Sequence, residues 1–529
     1  MEAGAYFRHP QNPLMMNEHA FRYGEDAMLP EVAMAIAEGK RSTRISDAVY
    51  ERLQQGRQRV LDIVAQDEIV YGINTGFGPL CTTIISRTQT EELQHKLLRS
   101  HAVGMGAEVS LMRVRLMLIL KLHALCWGYS GVSVAVVERI QWLLAEDLMP
   151  RVPEQGSLGA SGDLAPLAHL FLPLIGEGAL WHGGQWRPAA DVLAEKRQKP
   201  LRLGPKEGLA LINGTQFMAA HAVEAVLRLR QAFDLADLAG GMSLEAFLGS
   251  PRPFAEVLHQ VRPYGGSTRV ASHLRALLLD SEMVKHHENC GRVQDPYSLR
   301  CMPQVHGAAR HALTHMEEVL AIELNSVTDN PLLFEGEAPI SGGNFHGQPL
   351  AMPLDYLTLA AHETGSISER RVYLILHGGV ENLPRLLMQE TGTDSGFMIP
   401  QYTAAALVSE NKTLCFPASA DSIPTSLGQE DHVSMGAWAA RKCLMVVDNL
   451  EKILAIELLC AAQAFDYRRP LRSGVILEAA HQAIREVVPH TEIDRAFHFD
   501  MEAIRAMIQN KSLHRRSMEA AAAAGIAWA

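Results

Sequence analysis

The run from Arg441 to Asp466 contains neither glycine nor proline, and it constrains the fold more than any other stretch of the chain. Val447, Leu450, Leu454 and Leu458 recur along it at helical spacing. They predict one helix of about 39 Å, at about 1.5 Å per residue. Its apolar residues cover more than one face, so the helix belongs inside a bundle or at a subunit interface. Leu313, Met316, Leu320 and Leu324 repeat the pattern ahead of the turn-like Thr328-Asp329-Asn330-Pro331. Strand signals are few and short. A mainly α protein follows.

Glycine and proline gather instead in Tyr71 to Gly78, in Gly156 to Pro166 and in Ser341 to Phe345. These read as loops on a helical scaffold, where binding and catalytic groups concentrate. The 529 residues, 47% apolar and 20% charged, are enough to bury a large core in two or three domains. We place one boundary near residue 220, between an N-terminal domain (1–220) and a helical remainder (221–529). A net charge of −11 argues against nucleic acid or an anionic membrane as partner. The most apolar segment, around Leu111 to Trp127, carries Arg113, Arg115 and Lys121 and does not read as a membrane span. The first residues lack the basic-then-apolar layout of a secretory signal. Seven scattered cysteines without a Cys-x-x-Cys pair fit free thiols in a reducing cytosol.

The chemistry centres on Gly156-Ser157-Leu158-Gly159-Ala160-Ser161-Gly162-Asp163-Leu164-Ala165-Pro166. Considered alone, this is a turn leading into a helix near Leu167, with Ser161 or Asp163 as its N-cap. A serine-hydrolase elbow would need glycine where Asp163 stands, and no Gly-Lys-Ser/Thr follows to make a phosphate loop. In a tight turn of small residues, however, the Gly162 nitrogen can reach the Ala160 carbonyl carbon. Cyclisation with loss of two waters, one of them taking the Ser161 hydroxyl, gives a methylidene-imidazolone with an electrophilic methylene. Glycine permits the close approach, serine carries the leaving hydroxyl and alanine avoids crowding.

The segment resembles the prosthetic-group loop of the aromatic amino acid ammonia-lyase family. The resemblance continues in order through Tyr71-Gly72-Ile73-Asn74-Thr75-Gly76-Phe77-Gly78, Ser100-His101, Leu211-Ile212-Asn213-Gly214-Thr215-Gln216, Gln294-Asp295-Pro296-Tyr297-Ser298-Leu299-Arg300, Gly342-Gly343-Asn344-Phe345-His346 and Gln429-Glu430-Asp431-His432. It implies a long central bundle of the fumarase/aspartase type, with a mixed N-terminal domain carrying the loop. It further implies a homotetramer whose active sites are shared between subunits, a group made from Ala160-Ser161-Gly162, and no external cofactor or metal.

The same resemblance distributes roles. Tyr71 would abstract the β-proton, which at neutral pH needs a pKa depressed by positive charge or oriented dipoles. Arg300 would hold the substrate carboxylate, a task suited to a planar guanidinium, with Tyr297 on the same face of a helical turn and part of the catalytic set. Asn213 would hold the imidazolone oxygen through its amide, and Phe345 would wall the pocket. Glu430, with Gln429 beside it, His101 and Met398 match histidine-specific members. A carboxylate facing an imidazole N–H makes a hydrogen bond of about 1.5–3 kcal/mol, and against a phenyl ring it would be desolvated and unpaired. The expected reaction is elimination of ammonia from L-histidine to give trans-urocanate. The alternatives are a tyrosine or phenylalanine ammonia-lyase, a 2,3-aminomutase, or a non-catalytic scaffold of the same fold. His286-His287 with Cys290 reads as loop residues rather than zinc ligands, since a zinc site wants four convergent ligands.

Overall fold

The computed structural model describes residues 19–66, 70, 72, 73, 75, 87–287 and 292–528. Tyr71, Cys81 and Cys290 lie outside them. The chain divides into two compact units, one made of Met1–Gly156, Leu164–Gln216 and Leu324–Phe345, the other of Ser157–Asp163, Phe217–Glu323 and His346–Ala529.

In the first unit, helices α1 (Arg87–His101), α2 (Leu111–Cys126), α3 (Leu164–Phe171) and α4 (Glu207–Ile212) accompany short strands. Strand β1 (Met105–Glu108) pairs antiparallel with β3 (Pro153–Gln155). In a three-stranded antiparallel sheet, β4 (Ala179–His182) lies between β2 (Met149–Pro150) and β5 (Gln185–Pro188), with Trp181 opposite Trp186. Ser110 caps α2 by accepting from the Arg113 N–H. From Leu116 to Cys126 the helix is buried on every side, including Lys121 and His123. That explains an apolar run too charged to be a membrane span. Among the described residues, no helix is long and apolar enough to cross a membrane.

The second unit is a bundle built on α5 (Gln216–Ala246, from Phe217 on), α6 (Gly265–Leu277), α7 (Met302–Glu323), α8 (Gln348–His377), α9 (Met398–Leu414) and α10 (Gly436–Asp466). Three shorter helices, α11 (Val475–Val487), α12 (Phe497–Gln509) and α13 (Ser512–Ala523), complete it. The periodic residues Leu313, Met316 and Leu320 are buried on α7. Helices α6 and α7 approach so closely that a Cβ at Gly266 would lie 2.2 Å from the Gly307 carbonyl oxygen.

Helix α10 is buried around nearly its whole circumference, so its charges need partners inside the bundle. Glu457 accepts from Arg371 Nε and Nη2 on α8 at 2.5 and 2.8 Å, from Ser243 on α5 at 2.7 Å and from Ser368 on α8 at 2.6 Å. Lys442 pairs with Asp355 at 2.5 Å. On α5, Asp237 accepts from His273 at 2.9 Å, His306 at 2.7 Å and Arg310 at 2.6 Å. Burial alone would push the Asp237 carboxyl up, but Arg310 and the two histidines hold it far below the usual carboxylate range. Asp234, Asp237 and His273 have the spacing of a metal site, yet Arg310 Nη2 already stands on both carboxylates, at 3.0 and 2.6 Å.

Candidate active site

The segment Ser157–Asp163 is tied down at both ends within the second unit. The Met435 N–H donates to the Leu158 carbonyl at 2.9 Å. Asp163 Oδ2 accepts from the Phe217 and Met218 amides at 3.0 and 3.1 Å, so this buried carboxylate caps α5. A capping role for Asp163 is what the sequence suggests, but on the long helix that starts 53 residues later rather than on α3. The preference for negative charge at a helix N-terminus rationalises the choice.

Between these anchors the backbone turns back on itself. Ser161 has φ 51° and Gly162 φ 83°, and the Gly162 N–H donates to the Gly159 carbonyl at 3.3 Å. A left-handed serine is costly for an L-residue and persists only where its surroundings impose it. Gly159 has φ 85°, and a Cβ there would lie 2.1 Å from Ser434 Oγ. The turn is thus a cradle of small residues whose shape fits a ring closed on Ala160-Ser161-Gly162.

Glu430 stands beside this turn. Its Oε1 accepts from Ser161 Oγ at 3.3 Å, and its Oε2 accepts from Ser426 Oγ at 2.6 Å and Thr425 Oγ1 at 3.1 Å. The loop is closed by Thr425 N–H donating to the Glu430 carbonyl at 3.0 Å. Ser426, Leu427 and Gly428 are all left-handed, at φ 51°, 55° and 87°, and this tight turn presents the carboxylate. Gln429 is exposed.

On the short helical turn Tyr297–Arg300, the Arg300 guanidinium lies 4.7 Å from the centre of the Tyr297 ring and its Nη2 donates to Gln294 Oε1 at 2.9 Å. The two residues share a face, as their spacing predicts, and Tyr297 is 72% exposed. Met398 is half-buried at the first position of α9.

The first unit holds the other candidates. His101 ends α1 with Nδ1 2.9 Å from the Leu97 carbonyl oxygen. Ser100 Oγ also lies 3.0 Å from the same nitrogen, so the ring is oriented by two contacts on Nδ1. Asn213 follows α4, gripped from two sides. Lys121 donates to its backbone carbonyl, and its Nδ2 donates to the Asn330 carbonyl at 2.9 Å and to Asp329 Oδ1 at 3.4 Å. Its Oδ1 is buried with no hydrogen-bond partner among the described residues. Lys206, fully buried, pairs with Asp329 Oδ2 at 2.6 Å. Burial pulls the Lys206 ammonium below the usual lysine range, against the pull of Asp329. Phe345 is half-buried. Tyr71 lies outside the described residues; of its segment, Gly72 donates to Thr75 Oγ1 at 3.2 Å, and Ile73 is buried against Val60, Ile63, Val64 and Leu333.

Sequence reasoning brings Ser161 and Glu430 into one constellation, and the structure places them in contact. It misses the hydroxyls of Thr425 and Ser426, the cradle at Ser434 and the Lys206–Asp329 pair. Thr425 and Ser426 stand five and four residues before Glu430, a faint signal for a loop that hydrogen-bonds its own carboxylate. Nothing in the sequence pairs Lys206 with a turn 123 residues away.

The family model for aromatic amino acid lyases matches residues 29–486. A histidine ammonia-lyase of Myxococcus xanthus is 46% identical over 489 residues, 92% of this chain and 96% of its own length. One from an Anaeromyxobacter species is 48% identical over 500 residues, 93% and 98% of the two chains. Among solved structures, histidine ammonia-lyase from Trypanosoma cruzi superposes with a TM-score of 0.87 at 41% identity, covering 95% of this chain and 96% of that one. Tyrosine aminomutase from Streptomyces globisporus gives a TM-score of 0.88 at 35% identity, covering 95% and 99%. The chain belongs to the aromatic amino acid lyase family.

Proposed function

We propose that the chain eliminates ammonia from L-histidine to give trans-urocanate, with a methylidene-imidazolone formed from Ala160-Ser161-Gly162. The observation that carries this reading is a carboxylate, Glu430, held beside the Ser161 turn by Ser426 and Thr425. Relatives named for the histidine reaction, at 46–49% identity over most of the chain, point the same way.

Ammonium leaves poorly and the β-proton is barely acidic, so the site has two tasks. The imidazolone supplies the electrophile that assists departure of the amino group. The chain's own side chains do the rest. Arg300 holds the substrate carboxylate, Tyr71 takes the β-proton, and Tyr297 lines the reacting end. Asn213 orients the prosthetic group. Glu430 accepts the imidazole N–H, and His101, Phe345, Met398 and Gln429 shape the pocket. Glu430 disfavours the tyrosine, phenylalanine and aminomutase alternatives, because a phenyl or phenol ring leaves its carboxylate desolvated without a matching donor.

The protein further reads as a cytoplasmic homotetramer with sites completed by neighbouring subunits. Tyr356 and Tyr373 on α8 and Tyr402 on α9 are 47%, 55% and 59% exposed on the described chain and are aromatic residues that a subunit interface would cover.

Ultraviolet spectra of the products test the assignment. L-histidine should yield the urocanate band, while L-tyrosine and L-phenylalanine yield neither coumarate nor cinnamate. Product from tyrosine alone overturns the histidine assignment. Ser161→Ala should abolish turnover while leaving assembly intact, whereas a scaffold would be indifferent to it.

A further inference from the structure

The hydrogen bond from Ser161 Oγ to Glu430 Oε1, at 3.3 Å, has no place in turnover. Ring formation removes Oγ, so the contact belongs to the chain before it matures. We propose that Glu430 is also the acid of self-processing: it delivers the proton with which the Ser161 hydroxyl departs as water. The proposal rests on the ring-forming reading above and assigns Glu430 a task that precedes substrate.

The geometry suits this task. Ser426 and Thr425 occupy Oε2, which leaves Oε1 for Ser161. The left-handed run Ser426-Leu427-Gly428 and the backbone bond from Thr425 to Glu430 fix the carboxylate in the loop. Ser161 is itself held left-handed by a segment anchored at Leu158 and Asp163, so donor and acceptor are both pre-positioned. Hydroxide is a poor leaving group, and a positioned acid is what such a departure requires.

The step balances without an oxidant or reductant. The Cα–H bond of residue 161 breaks, its electron pair becomes the new Cα=Cβ bond, and the Cβ–O bond breaks with its pair on oxygen. The Glu430 carboxylate, the acceptor in the resting contact, takes up the proton lost from Cα and hands it to that oxygen, which keeps its own hydrogen and leaves as water. The other water carries away the Ala160 carbonyl oxygen with the amide hydrogens of Gly162 and Ser161.

Intact-mass measurements on full-length chain during cell-free synthesis provide the test, independent of turnover. Wild type should lose two waters, about 36 Da. Glu430→Gln, which has no proton to give, should lose the Ser161 water at a rate lower by about 10²-fold or more. Glu430→Asp, which keeps the acid, should recover part of the rate. Thr425→Val combined with Ser426→Ala keeps the carboxylate but frees it, and should slow the loss less severely. Gel filtration identifies the folded fraction of each variant. If Glu430→Gln does not co-elute with wild type, the double variant decides, a slowed loss supporting the proposal and an unchanged one overturning it. Glu430→Gln that loses both waters at the wild-type rate overturns it while leaving the proposed reaction standing. Wild type that keeps its full mass sinks the ring-forming reading itself.

Discussion

Ser161 and Glu430 are 269 residues apart in sequence and 3.3 Å apart in space. Each could be picked out of the sequence by its neighbours, small residues around the serine and the Gln-Glu-Asp-His block around the carboxylate. What the sequence leaves illegible is how each is held. The left-handed φ values at Ser161, Ser426 and Leu427 follow from tertiary anchors, not from local preference, since none of these residues favours that region. Burial has its own signature at Glu245, whose carboxyl it pushes up to about 7 against hydrogen bonds from Ser281 and Ser473. An acid whose folded pKa is raised keeps its proton in the native state after the unfolded chain has lost it. Its contribution is therefore complete below about pH 4.3 and is lost as pH rises toward 7. Glu245→Gln removes that titration. Chemical denaturation should show the variant gaining on wild type by roughly 2–3 kcal/mol between pH 5 and pH 8.

Among the elements, α10 was the most legible, because a long run with no breaker and apolar residues on several faces has few alternatives to a buried helix. It begins at Gly436 rather than at Arg441, directly after Met435 in the left-handed region, where Ser434 Oγ accepts from the Gly436 amide at 3.2 Å. Pro166 falls within the first turn of α3, where its missing N–H does little harm. The start of α5 was less legible: its cap comes from Asp163, in a segment that local spacing assigns to another helix. Asp163→Ala should cost about 1–2 kcal/mol through loss of that cap, with amide exchange rising first at Phe217 and Met218. A uniform loss of protection across the whole bundle would contradict the assignment.

Over the whole molecule, a helical bundle could be foreseen from periodicity, whereas the ionic groups threaded through it could not. Charges on a helix sequence look solvated until the partner helix is known. Arg371, Glu457, Ser243 and Ser368 come from α8, α10 and α5. Removing one member leaves the other as an uncompensated charge. Arg371→Leu should therefore destabilise the protein by about 3–5 kcal/mol, read from the urea midpoint, and Arg371→Leu with Glu457→Leu should recover much of the loss. A small effect of the single change would mean that water reaches Glu457. The membership of Ser157–Asp163 in the second unit is equally hidden from composition, because it rests on bonds to Met435, Phe217 and Met218.

Those bonds also impose an order of events. A seven-residue turn whose shape is set by the first amides of two long helices does not exist until both helices have formed and come together. Any covalent rearrangement that needs the turn is confined to molecules that have already folded. Under the ring closure proposed above, a chain stalled early in folding, or trapped in an aggregate, would keep an ordinary serine, so that the reactive group would mark correct folding and unfinished copies would carry none.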